Sequence, residues 1–302
     1  MRPEHPFSSR LAFFTGKGGA GKSTVVAALA VEARHRGLRP LVVELGHRAS
    51  MQAIFGARHI GHDPVEVAPG VHAANVEVDR ALADYVARNV PVDALARRIA
   101  SSASLRRFFE AAPAVGEVLT LFRLEQLLGT DFHPILVDLD ATGHALMFLG
   151  LPAVFDGLVP AGPVRRLLDG FARLLADGTH ARLHLVTLPA QLPVQETLEL
   201  HARLAGEVSV RLGTLFVNRV VPSPLEPGLV PTLGEVRAHD AGAAEDLGLL
   251  RAACARHADA QRQIERLHAI PMPRVLLPLD PVRSDRAALA RLGALAATEG
   301  AC

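Results

Sequence analysis

Residues 16–24 read Gly16-Lys17-Gly18-Gly19-Ala20-Gly21-Lys22-Ser23-Thr24, a Gly-x-x-x-x-Gly-Lys-Ser run whose residue types suit a polyphosphate. Glycines let successive backbone N–H groups converge on an anion, and a helix beginning near Lys22 adds its positive N-terminal end. Lys22 would then reach the β- and γ-phosphates of ATP, the Ser23 hydroxyl would hold Mg²⁺, and Thr24 would donate to the α-phosphate, with Gly18, Gly19, Ala20 and Gly21 as the cradle. Lys17 is a second cation that the cradle does not require, and no acidic residue adjoins it in sequence. It is either a solvated loop lysine or a charge that crosses a subunit interface to a transferring phosphoryl group, as arginine fingers do.

A second constellation lies in the apolar run Ile135–Leu139, which contains Asp138 and is followed by Asp140-Ala141-Thr142-Gly143-His144. An aspartate at the end of such a strand, beside a phosphate loop, is placed to hold the magnesium shell directly or through water. Gly143 would let a backbone N–H approach the γ-phosphate, so the segment would respond to hydrolysis. His144, taken by itself, reads as packed or solvent-facing.

These groups need a scaffold. Apolar strand candidates recur at Leu11–Thr15, Pro40–Leu45, Ile135–Leu139, Arg182–Leu188, Leu212–Asn218 and Arg274–Leu277, with helical stretches between them. Several are near-continuous Val/Leu runs, the pattern of a parallel sheet covered on both faces. The expected fold is therefore α/β, a doubly wound and mostly parallel sheet. Helices are expected at 22–35, ended by Gly37, and at 198–207, 247–267 and 283–297. The chain reads as a single P-loop domain over 1–302, with helical elements at about 78–130 and 153–175 packed on it.

Composition narrows the function classes. A net charge of +1 with 21% charged residues gives no polyanion-binding surface, so no nucleic acid partner is expected. The longest uncharged apolar stretch, Ala145 to Phe155, has 11 residues, too short to span a bilayer, and a cytoplasmic location is expected. The two cysteines, Cys254 and Cys302, make no disulfide framework.

The loop at 16–24, taken with Asp138, Thr142-Gly143-His144 and Leu151-Pro152, resembles the arsenite-pump ATPases and the tail-anchored-protein targeting ATPases. Through its two lysines the loop is more distantly similar to MinD, ParA and the nitrogenase iron protein. The likeness extends to Glu196-Thr197, to Val217-Asn218, where the family's asparagine reads the adenine edge, and to Pro278-Leu279-Asp280, its late adenine-side loop. It implies an ATP- and Mg²⁺-dependent dimer, of two copies or with a related ATPase. Lys17 of one subunit would reach the other's phosphates, and closure would act on an unidentified protein cargo or regulator through the helical elements.

The chain departs from the family at three places. Gly46-His47-Arg48 stands where members carry Asp-Pro-Ala, so Gly46 replaces the aspartate that orients the attacking water. Glu44 could substitute, His47 could do base work, or hydrolysis is slow, partner-dependent or absent, with ATP a state marker. Cys254-Ala255-Arg256-His257 stands where the targeting factors have a Cys-x-x-Cys; one Cys–His pair is read as a small buried cysteine and an exposed histidine, and zinc is not expected. Only four methionines are present, fewer than a soft apolar groove would use, and the apolar residues of 108–128 read as ordinary helix core.

Overall fold

The computed structural model describes residues 6–45, 49–89, 113–139, 142–279 and 286–297. Eight strands form one sheet: β1 (Leu11–Thr15), β2 (Leu41–Glu44), β3 (Val65–Ala68), β4 (Val71–Asn75), β5 (Ile135–Asp138), β6 (Ala181–Thr187), β7 (Leu212–Val220) and β8 (Arg274–Pro278). Their order is β3-β4-β2-β5-β1-β6-β7-β8, and every neighbouring pair is parallel except β3 with β4. The ten described α-helices are α1 (Lys22–His35), α2 (Ser50–Phe55), α3 (Val78–Asn89), α4 (Pro113–Leu128), α5 (Thr142–Leu149), α6 (Leu151–Val154), α7 (Pro163–Ala176), α8 (Gln191–Glu207), α9 (Ala241–Arg266) and α10 (Arg286–Ala296).

Side-chain alternation along the central strands sorts the core into two layers. Leu11 and Phe13, Leu41 and Val43, and Ile135 and Val137 pack on one face, against Phe122 and Leu124 of α4, Leu168 and Phe171 of α7 and Leu200 of α8. Ala12 and Phe14, Val42 and Leu136 pack on the other, against Val25 and Leu29 of α1 and Leu289 of α10. Both faces are covered, which is why these strands read as continuous apolar runs. The period of two then places Glu44 with Val42, and Asp138 with Leu136, on the α1 face.

Chain direction does the rest. The path from β1 through α1 to β2 runs to one side of β1, while β6 lies on its other side. The sheet therefore switches topology at β1, where a crevice forms beyond the carboxyl ends of the strands.

The structure differs from the sequence reading at the sheet edge. β3 and β4 went unassigned because Val71-His72-Ala73-Ala74-Asn75 carries little β-branched character. Pro69-Gly70 joins them, with Gly70 at φ +73°, so the Pro-Gly turn was the available signal. Helix α8 begins at Gln191 rather than Leu198 because Pro193 is tolerated in a first turn, and α9 begins at Ala241, where Asp240 accepts the Ala243 N–H at 2.7 Å. Helix α1 has the expected bounds; beyond it Gly37, at φ +82°, donates to Arg34 O at 2.9 Å. Of the apolar residues at 108–128, Val118, Leu121, Phe122, Leu124 and Leu127 are core, while Phe108 and Phe109 lie outside the described residues.

Two helical glycines should respond oppositely to alanine. A Cβ on Gly293 of α10 would lie 2.2 Å from Ala28 O and 3.0 Å from Glu32 Cβ on α1, whereas one on Gly248 of α9 meets nothing within 4 Å. Gly248→Ala should stabilise the fold by about 0.5–1 kcal/mol through helix propensity. Gly293→Ala should lose that gain to the overlap and be net destabilising by about 1–2 kcal/mol, both read as shifts in urea midpoint at unchanged m.

Candidate functional site

The carboxyl ends of β1, β2, β5 and β7 gather the residues that the sequence singles out. The loop after β1 takes backbone conformations open to glycine, with φ +148° at Gly16, +85° at Gly19 and +87° at Gly21. Gly16 packs so closely on β6 that a Cβ there would sit 2.0 Å from Val186 O, and one on Gly21 would sit 2.3 Å from Asn218 Nδ2. Ala20 is fully buried, while Gly18 and Gly19 are exposed at the loop crest. Lys22 folds back over the loop, its Nζ donating to Gly16 O at 3.2 Å and reaching Lys17 O at 3.5 Å. A cleft beside it is lined by Gly19, Lys22, Ser23, Thr24, Glu44, Asp138 and Arg219, among others.

At the floor of the cleft, Ser23 Oγ donates to Asp138 Oδ2 at 2.6 Å. Asp138 is buried at the end of β5, in register with Phe14 of β1 and Glu44 of β2. Beside it Glu44 is also buried; its Oε1 accepts the Met51 N–H at 3.0 Å, holding the first turn of α2. Its Oε2 is buried with no hydrogen-bond partner among the described residues. Burial, with a smaller contribution from the negative Asp138, raises the Glu44 pKa from its ordinary value of 4.5 to about 7. The Ser23 hydroxyl and the Asp138 carboxylate form a hard oxygen donor set. That set fits Mg²⁺, which takes few protein ligands and completes its shell with water and phosphate.

Lys17 has an acidic neighbour after all, supplied from 179 residues away: its Nζ pairs with Glu196 Oε1. The placement of Glu196 follows from the next residue. Thr197 Oγ1 lies 2.9 Å from Thr187 Oγ1 at the end of β6 and 2.7 Å from Pro193 O, and the contact with Thr187 pins α8 to the sheet in its second turn. Sequence spacing could not have found this pair; the Glu-Thr doublet was the one available signal.

The remaining expectations divide. Asn218, buried on β7, donates from Nδ2 to Ala20 O at 2.9 Å and accepts the Arg219 N–H on Oδ1, also at 2.9 Å. One N–H and one lone pair of its amide are left, the complement that an adenine edge presents. Pro278 ends β8 in register with Val220. Gly143 lies exposed in the first turn of α5 and does not line the cleft. Asp280, and the first-switch residues Gly46 and His47, lie outside the described residues. On α9, Cys254 is half-buried and His257 approaches Val221 O with Nδ1 at 2.9 Å. Among the described residues no three His, Cys, Asp or Glu side chains cluster as a metal site, and no helix is long and apolar enough to cross a membrane.

Glu44 predicts a pH dependence of stability. Between about pH 4.5 and 7 the folded protein retains a proton that the unfolded chain has released, so stability falls as pH rises through that window and levels off above it. Glu44→Gln cannot ionise and should lack this slope. In urea titrations at pH 5, 6 and 8, the variant should gain on the parent with rising pH, by on the order of 1–3 kcal/mol at the upper end.

The loop, Asp138 and Glu44 all fall inside residues 9–173, which match the sequence profile of the anion-transporting ATPases. The chain is 31% identical over 230 residues to the ATPase BagA of Mycobacterium tuberculosis, covering 72% of this chain and 67% of that protein. It is 29% identical over 232 residues to an arsenical pump-driving ATPase of Acidiphilium multivorum, and 28% identical over 236 residues to one of Escherichia coli. Those matches cover 70% and 71% of this chain but 39% and 40% of the pump ATPases, so the chain spans about two fifths of their length. A profile match across more than half the sequence, carried by a phosphate loop between β1 and α1 and an aspartate at the end of β5, means that this chain belongs to the anion-transporting ATPase family.

Proposed function

We propose that the chain is a dimeric ATP-binding switch that hydrolyses ATP slowly and uses subunit closure to bind or position a protein partner. The observation that carries this reading is the assembly of Lys22, Ser23 and Asp138 at one corner of the cleft. Backbone N–H groups of 18–21 would hold the phosphate chain and Lys22 would leave its carbonyl partners for the β- and γ-oxygens. Ser23 and Asp138 would hold Mg²⁺, which when bound neutralises charge developing on the phosphates.

With Gly46 in the place of the water-orienting aspartate, Glu44 becomes the group best placed to accept a proton. It is buried beside Asp138 and its Oε2 is unengaged among the described residues, so it could take a proton from a water bound in the cleft. The site would still lack the family's positioned carboxylate, and the absence of one positioned group costs on the order of 10²–10⁴ in rate. Slow turnover is the consequence.

Dimerisation would require Lys17 to exchange Glu196 for a phosphate on the other subunit. The output would run through α5, where His144 Nδ1 lies 3.4 Å from Glu117 Oε1 of α4, linking the segment after Asp138 to the helices beside the sheet. The replacement at Gly46 favours a second reading, an ATP-binding subunit that hydrolyses only with a related ATPase or not at all.

Phosphate release separates the two. The parent should release phosphate above a Lys22→Ala control, and Glu44→Gln should retain ATP binding while losing at least about tenfold of the rate. Release by the parent no greater than by the control would leave the second reading standing. Light scattering should show ATP raising the mass of the parent to that of a dimer and leaving Lys17→Ala a monomer; ATP-dependent dimerisation by that variant would remove the proposed role of Lys17.

A further inference from the structure

Arg219 is the one residue other than glycine with positive φ, +58°, among the described residues. A β-carbon in this left-handed region is strained, and glycine takes the same position without that cost. The position is a bulge: pairing of β7 with β8 passes from Val217 opposite Leu276 to Val220 opposite Pro278, so the two residues 218 and 219 face one on β8. Bulges re-aim side chains beside functional sites, and a left-handed backbone position ordinarily takes glycine. An arginine here carries a strain that glycine would avoid.

Its surroundings indicate the use. The Arg219 backbone N–H is held by Asn218 Oδ1, and Asn218 in turn grips Ala20 O of the loop. The bulge is thus keyed to the loop at the point where Gly21 leaves no room for a β-carbon. Arg219 lines the cleft together with Gly19, Gly21, Lys22, Ser23 and Thr24. It also forms the wall shared with a neighbouring cavity bounded by Pro189, Ala190 and Asp259. The guanidinium is exposed and makes no hydrogen bond or ion pair with any described residue. A rigid fork of donors with fixed charge, presented beside a phosphate cradle, matches a phosphate oxygen pair better than any other group of a nucleotide.

We infer that Arg219 is a further nucleotide-binding residue, a cation supplied from β7 to the phosphate chain of the ligand proposed above, on whose binding in this cleft the inference rests. The bulge at 218 and 219 then has two outputs: the asparagine amide keeps an adenine-edge complement while the arginine turns to the phosphates.

The test compares ATP affinity, by isothermal titration calorimetry in the presence of Mg²⁺, for the parent, Arg219→Gly, Arg219→Ala and Arg219→Lys. The glycine variant relieves the backbone, so without ligand it should melt at or above the parent's temperature; its ATP affinity should nevertheless fall on the order of tenfold or more. Alanine should lose as much affinity without the gain in melting temperature, and lysine should recover part of the loss. ATP binding by Arg219→Gly within about twofold of the parent overturns the inference, as does a lysine variant no better than alanine. Failure of the parent itself to bind ATP removes the function proposed above, and this inference with it; ATP binding by the parent that is lost in Lys22→Ala but kept in Arg219→Gly removes only the role of Arg219.

Discussion

The short bond from Ser23 to Asp138 is the contact on which the site depends, because it joins α1 to the strand that β1 and β2 enclose. Asp138 stands at the end of a four-residue strand buried along its whole length, so its position is set by the sheet. Ser23 is fixed by α1, whose start is set by Gly21. A hydroxyl and a carboxylate held from two rigid elements keep their separation when a ligand arrives; what changes is which group each of them faces. Preorganisation of this kind comes from the fold, and the loop supplies only the lining.

Close approach is the second constraint. Gly16 meets the β6 backbone and Gly21 the Asn218 side chain of β7 at distances that exclude a β-carbon, so the loop rests directly against two neighbouring strands on one side of β1. The glycines serve conformation and clearance together. The same contact explains how Asn218, nearly two hundred residues on, comes to support Ala20: the strands that the loop rests against carry the groups that brace it.

Much of this was legible in the sequence. The loop, the helix after it, the aspartate strand and the parallel sheet follow from glycine spacing and from Val/Leu runs that signal burial on both faces. The hairpin of β3 and β4 was not, because alanine and asparagine hide a strand whose place is set by pairing with β2. Glu196 escaped for a different reason: its relation to Lys17 depends on the seating of α8 against β6, a tertiary fact that no local pattern encodes. Arg219 escaped because an arginine after an asparagine carries no mark of backbone strain. Glu44 stands two residues before the position where the family carries its aspartate, and its burial against Asp138 is what the structure adds.

The pair between Lys17 and Glu196 bears on assembly. A carboxylate held on the same chain meets the lysine at an effective concentration in the millimolar range or above, while a second subunit offers its ligands at whatever concentration the cell maintains. The intramolecular partner therefore wins unless the competing surface brings more charge than one carboxylate. In the dimer proposed above a triphosphate would do so and a diphosphate less well, so the pair would set a threshold tying association to nucleotide state as well as to protein concentration.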